Sequence, residues 1–176
     1  MARKYVIDGG AYSGKTSVIK ELARRGFATV PEAATLVIRE QLACGGGLLP
    51  WVRREEFDRF LLGRVKLLES KIETEDLAFL DRSFPGGIAY SQFYRTSLLG
   101  DYVQAAQADH YAGVYLMDLL PGYKVDKFRK ESPAARKQIH ELIRQAYLDL
   151  GYKITRVQAM PVDERVDFIL GHLGLI

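Results

Sequence analysis

Asparagine is missing from the 176-residue chain, cysteine occurs once, and no apolar run approaches the length of a membrane span. The lone Cys44 excludes an internal disulfide and any multi-cysteine metal site. A catalytic thiol would need a histidine and a third group brought beside it by folding, so a buried structural thiol is the expectation. Without about 20 consecutive apolar residues, and with no signal-peptide apolar block at the start of the sequence, a cytoplasmic protein with no membrane span is expected. Charge of one sign is not concentrated either. The formal net charge is +3 and the lysines and arginines are scattered through helical patterns, so no nucleic-acid partner is expected. The three histidines, His110, His140 and His172, lack ligand spacing, which disfavours a metal centre or triad built on them; His140 and His172 are expected on helix surfaces.

What is present is an apolar content of 48%, enough for one domain over residues 1–176 with a full core. "KYVID" reads as a strand, Lys15 to Arg25 as a helix and "GFATV" as a second strand, together a βαβ unit. A helix from Glu32 to Cys44, with Ala33, Leu36, Val37 and Leu42 as its apolar face, stops at the glycines Gly45 to Gly47. Between Glu55 and Thr74, the spacing of Phe57, Phe60, Leu61, Val65, Leu68 and Ile72 predicts a long helix. "DLAFLD" and "GVYLMD" read as strands buried on both faces, separated by helices around Ile88 to Tyr94 and Leu98 to Ala106. Pro133 opens another helix, "YKITRVQAM" is the fifth strand, and a helix from Asp163 follows. This alternation predicts a three-layer α/β domain with a mostly parallel five-stranded sheet.

Between the first strand and the first helix, Gly9, Gly14, Lys15 and Thr16 fit the phosphate-loop pattern G-x-x-x-x-G-K-[ST]. Such a loop turns backbone N–H groups inward around an anion and adds the positive end of the following helix. The stretch Gly9, Gly10, Ala11, Tyr12, Ser13, Gly14, Lys15, Thr16 and Ser17 is therefore the candidate nucleotide site, with inward amides expected from Gly10 to Thr16. Lys15 would hold the β- and γ-phosphates and Thr16 would ligate Mg²⁺. The plain alternative is a glycine turn before an ordinary helix.

Asp81 ends an apolar strand, which places it at the carboxyl edge of the sheet beside the loop. Two roles are open: support of Mg²⁺, or acceptance of a proton from an acceptor hydroxyl. A helix cap or an ion pair with Arg82 is the structural alternative. Glu32 follows the second strand at the same edge, where a carboxylate is also favoured by the helix dipole. Residues 121–136 form a basic, lid-like segment with Lys124, Lys127, Arg129, Lys130 and Arg136; Arg129 is the candidate for neutralising charge during transfer. Tyr90, Phe93, Tyr94 and Trp51 are candidates for an acceptor pocket, the alternative being core packing.

The ordered set "GGAYSGKTS", "VPEAA", "FLDRS…GIAY" and "KFR…YLDLGYKITRV" resembles the small P-loop ATPase and kinase family that includes the ribosylnicotinamide kinase domain of the bacterial NAD-biosynthesis regulator, within the wider thymidylate-kinase-like kinases. The similarity covers nearly the whole chain, and the phosphate loop is its specific part. The resemblance implies a nucleoside/nucleotide-kinase-like fold, nucleotide phosphates and Mg²⁺ at Gly14, Lys15 and Thr16, Glu32 and Asp81 facing the acceptor, and Arg129 in a lid. The chain departs from the family pattern at Gly86, where an acid is common, and at Thr35, where an arginine is common. Those departures leave the acceptor open.

The missing asparagine also removes the N-K-x-D element that reads guanine, so ATP is expected over GTP, with GTP left open. The leading expectation is a Mg²⁺-ATP-dependent phosphotransferase acting on a small nucleoside- or nucleotide-like acceptor. The alternative is a nucleotide-gated ATPase or switch that binds a protein or lipid partner. A homodimer is left open.

Overall fold

A computed structural model of the chain describes residues 3–72, 76–125 and 130–176. Five strands, β1 (Arg3–Asp8), β2 (Ala28–Val30), β3 (Leu77–Asp81), β4 (Gly113–Met117) and β5 (Ile154–Val157), form one sheet in the order β2-β3-β1-β4-β5. Every pairing is parallel, so the sheet is wholly rather than mostly parallel. Among the described residues seven helices accompany it: α1 (Lys15–Arg24), α2 (Ala33–Cys44), α3 (Arg54–Ser70), α4 (Phe84–Tyr94), α5 (Leu99–Ala108), α6 (Pro133–Asp149) and α7 (Val162–His172).

Strands buried on both faces need apolar residues at consecutive positions, and the two faces then divide by the period of two. Val6, Leu80, Val114 and Leu116 point to one side, where they pack with Phe84 and Ile88 of α4, Tyr102 of α5 and Ile139 and Ile143 of α6. Ile7, Phe79, Tyr115 and Met117 point to the other, against Val18 and Leu22 of α1 and Val166 and Ile169 of α7. Three layers result, each strand residue contributing to one core or the other. A smaller cluster of Val37, Ile38, Leu49 and Phe57 ties α2 to α3.

The helix ends follow local chemistry. Ser132 Oγ accepts the amide of Ala135 at 3.2 Å and Pro133 fills the first turn of α6, where its missing N–H costs nothing. Gly45 closes α2 in the left-handed conformation at φ 67°. Three expectations are corrected. Cys44 is exposed at the end of α2 rather than buried, because that last turn extends past the cluster holding α2 to α3. Leu42 and Phe60 are exposed, since each lies off the apolar stripe that its helix presents to its neighbour.

Register places the candidate residues together. Val30 pairs with Leu80 and Leu80 with Val6, so the chain leaves β2, β3 and β1 at one edge, toward Glu32, Asp81 and Gly9. Sequential β1 and β2 are separated by β3, and β4 lies on the far side of β1. That reversal of direction opens the crevice in which open α/β sheets bind ligands. No helix among the described residues is long and apolar enough to cross a membrane.

Candidate active site

The loop from Gly9 to Gly14 wraps from the end of β1 into α1. Gly9 has φ 145°, and a side chain there would bring a Cβ within 2.7 Å of the Met117 carbonyl; Gly14 has φ 84° and would meet Arg165 at 2.8 Å. Only glycine satisfies both the dihedral and the space at these two positions.

The loop's peptide groups are oriented by cations. Lys15 Nζ donates to the carbonyls of Gly9 (2.9 Å) and Gly10 (3.1 Å). Arg82 also reaches the Gly9 carbonyl at 3.1 Å. Arg136 donates to Ala11 (2.7 Å), Tyr12 (3.2 Å) and Leu120 (2.8 Å), and Arg165 to Ser13 (2.7 Å). Five consecutive carbonyls, Gly9 to Ser13, thus face guanidinium or ammonium groups. Arg136 and Arg165 were not foreseen in this role. Each lies in a helix beyond the loop, and only the fold returns it there.

Gly10 corrects the expected cradle. Its N–H donates to His140 Nδ1 at 3.2 Å, and that of Gly9 to Asp8 Oδ1 at 2.7 Å, so neither amide faces inward; the loop residues lining the cleft are Ala11 to Ser17. His140 is accordingly buried, not on a helix surface, because α6 packs behind the loop. His172 is exposed as expected, with Nδ1 2.9 Å from the Tyr115 hydroxyl.

Because Nδ1 of His140 accepts a bond, its proton sits on Nε2. Burial lowers its pKa, against the raising influence of Glu141, Asp8 and Asp118, while Lys15 lowers it further; Lys137 and Arg156 border its outer side. A lowered histidine pKa favours the native state above about pH 6.5 and penalises it as pH falls below that value. Protonation also sets N–H against N–H at Gly10. We expect ATP affinity, measured by calorimetry, to fall about tenfold more steeply between pH 7 and 5 in the native protein than in His140→Gln, whose amide oxygen still accepts. Parallel pH profiles would remove His140 from loop support.

Across the loop, Thr16 Oγ1 donates to Asp81 Oδ2 at 2.7 Å, while Oδ1 of Asp81 is buried with no hydrogen-bond partner among the described residues. Burial, then the nearby Glu32 charge, pushes the Asp81 carboxyl up to about 7, opposed by Lys15. Arg82 ion-pairs with Glu32 at 3.2 Å rather than with Asp81. Burial alone would raise the pKa of Glu32, but Arg82 and Lys15 outweigh it and hold that carboxyl below the usual range; Thr35 Oγ1 also donates to Glu32 Oε2 at 2.6 Å. Asp8, another residue missed in the sequence, is fully buried and accepts from the Tyr147 hydroxyl at 2.9 Å. At Gly86 a Cβ would lie 2.6 Å from Arg82, so the glycine makes room for that arginine.

The cleft has a volume of about 640 Å³ and runs from the loop past Glu32 and Asp81 to Trp51, Tyr90 and Tyr94. Phe93 packs against the core instead. Lys130 lies 5.4 Å above the Trp51 ring. Lys127 and Arg129 lie outside the described residues, and Arg136 belongs to α6 and the loop rather than to a covering segment. Among the described residues no group of three His, Cys, Asp or Glu side chains is placed to hold a metal.

A glycine loop ahead of a helix, a hydroxyl–carboxylate pair at the next strand end and a parallel sheet ordered 2-3-1-4-5 define a P-loop protein with the nucleotide-kinase fold. The chain matches the AAA-domain family model AAA_28 over residues 4–165 and belongs to that family. No curated protein matches its sequence. Among solved structures, the NadR protein in complex with NAD and AMP-PNP shares the fold at TM-score 0.76 and 14% identity, covering 99% of this chain and 50% of that one. The chain therefore spans about half the length of the NadR chain. Thymidylate kinase from Ehrlichia chaffeensis (TM-score 0.66, 12% identity, 98% of both chains) and deoxyadenosine kinase from M. mycoides with bound dATP (0.68, 9%, 98% and 99%) share it over their full length.

Proposed function

We propose that the protein is a Mg²⁺-dependent phosphotransferase that moves the γ-phosphoryl group of ATP to a small nucleoside- or nucleotide-like acceptor. The observation that carries this reading is the continuous cleft, which joins the Thr16–Asp81 pair at the loop to an aromatic half suited to a second substrate. A switch that only reports nucleotide occupancy has no need of that second half. ATP is favoured because the chain lacks asparagine for a guanine-reading element. Two proteins of the same fold are solved with AMP-PNP and dATP, which supports an adenine nucleotide.

Thr16 and Asp81, with its partnerless buried oxygen, suit Mg²⁺, which is characteristically held by one or two carboxylates together with substrate phosphates. The ion would supply charge neutralisation on the phosphoryl oxygens. Lys15 leaves the Gly9 and Gly10 carbonyls to meet the β- and γ-phosphates. The acceptor oxygen bonds to the γ-phosphorus as the bond to the β,γ-bridging oxygen breaks, and ADP leaves with that electron pair. Where the acceptor is a hydroxyl, its proton passes to the carboxylate at Glu32 or Asp81. Glu32, held ionised by Arg82, is suited to orienting the acceptor, and Asp81 to supporting the metal. Arg129 completes the proposal as the cation that meets the transferring charge. Catalysis would rest on positioning and preorganised charge.

The test is incubation with γ-labelled ATP and a panel of nucleosides, nucleotides and vitamins. Label appearing on an acceptor is expected. Acceptor-independent release of free phosphate, with partner binding that depends on nucleotide, would replace this reading by the switch.

A further inference from the structure

The acceptor half of the cleft has more open cationic donors than open acids. Glu32 already receives Thr35 and pairs with Arg82, Asp58 receives Arg54, Glu69 receives Ser83 and Lys4, and Glu131 receives the Tyr94 hydroxyl at 3.4 Å. Arg82 is engaged by Glu32 and by the Gly9 carbonyl. Arg54, at the start of α3, differs. Its Nε donates to Asp58 Oδ2 at 2.8 Å, its central carbon Cζ lies 4.0 Å from the centroid of the Tyr94 ring and 5.4 Å from that of Tyr90, and its Nη atoms have no hydrogen-bond partner among the described residues. The side chain lines the cleft and is one-fifth exposed.

Three contacts thus fix the guanidinium. Its central carbon lies over both tyrosine rings and Asp58 takes its Nε, so what it offers a ligand is its two Nη groups, which match two oxygens of a phosphate or carboxylate. Arg39 and Lys130 also line this half of the cleft, and neither has an ion-pair partner among the described residues. We infer that the acceptor already carries an anionic group, a phosphate or a carboxylate, and that Arg54 is the residue that receives it. The inference rests on the phosphotransferase reading and narrows its substrate class to charged acceptors such as nucleoside monophosphates. Arg54 serves binding, and the transferring phosphoryl group is handled at the loop.

The experiment compares matched acceptors with γ-labelled ATP: adenosine with AMP, thymidine with dTMP, cytidine with CMP, ribose with ribose 5-phosphate, and glycerol with glycerate. The expected result is at least one charged member used with a kcat/KM about tenfold or more above its uncharged partner. Phosphate and carboxylate are distinguished by which pairs respond. Arg54→Gln should raise the KM for that acceptor about tenfold or more while the KM for ATP stays within about twofold. Arg54→Lys, which keeps the charge but loses the planar fork, should fall between. The wild-type comparison alone decides the matter if a variant fails to fold.

Equal or better use of uncharged partners overturns the inference, as does a preference that survives Arg54→Gln. Label reaching no charged acceptor, with ATP binding intact by calorimetry, overturns it and spares the nucleotide site. Loss of ATP binding in the native protein would overturn both.

Discussion

Replacing Lys15 by alanine is expected to lower ATP affinity or turnover by about two to three orders of magnitude. Lys15 is 6% exposed, and its ammonium group interacts with the carboxylates of Glu32, Asp81 and Asp8. Burial, and then Arg82, lowers its pKa, while those three acids work in the opposite direction. Lys15 Nζ is held on the carbonyls of Gly9 and Gly10, so its removal takes from the site the cation that would move onto the phosphates. Calorimetry with Mg²⁺ and ATP, beside a thermal melt, separates loss of binding from loss of fold. Native affinity and turnover in Lys15→Ala would remove the lysine from the phosphate site and, with it, the reading of the loop.

The second large effect is expected at Asp81. Asp81→Asn keeps the shape and an oxygen able to accept from Thr16, but removes the charge. Transfer should fall by about two orders of magnitude while ATP affinity stays within a few-fold, as for an interaction made mainly in the transition state. Stability supplies the control. The native state raises the Asp81 pKa to about 7, chiefly by burial. A carboxyl raised on folding binds its proton more tightly in the native than in the unfolded chain. Its charged form therefore costs stability, a cost that sets in above the ordinary carboxyl range near pH 4 and is complete above about pH 7. Asp81→Asn lacks that cost, so above pH 7 it should melt no lower than the native protein. Reduced transfer in a protein of undiminished stability is then chemical in origin. Full transfer by this variant would exclude Asp81 as base or metal support.

Both predictions concern residues legible in the chain, because their signals are local. A phosphate loop is defined by spacing over a few residues, and the carboxyl edge of a parallel strand is reached by reading to the end of its apolar run. The strand and helix order followed from short continuous apolar runs and from the 3.6-residue period, since both faces of the sheet must be covered by apolar residues. Those features hold whatever the rest of the chain does.

The remainder was decided by tertiary structure. Arg136 reads as part of the lid-like basic segment and Arg165 carries no local signal, and only the return of α6 and α7 to the loop sets them on its carbonyls. His140 has no spacing to mark it, yet packing behind the loop buries it and turns Gly10 away from the cradle. Arg54 lies among other charged residues in sequence; its fixed orientation depends on two tyrosines from α4, at least 36 positions away. Pairing of strands places Glu32 beside Arg82 and Asp81 beside Thr16. Periodicity and dihedral preference act between near neighbours and are written in the sequence itself. Burial, charge pairing and the direction of a side chain depend on what the remaining chain brings alongside, and so they exist only once the chain has folded.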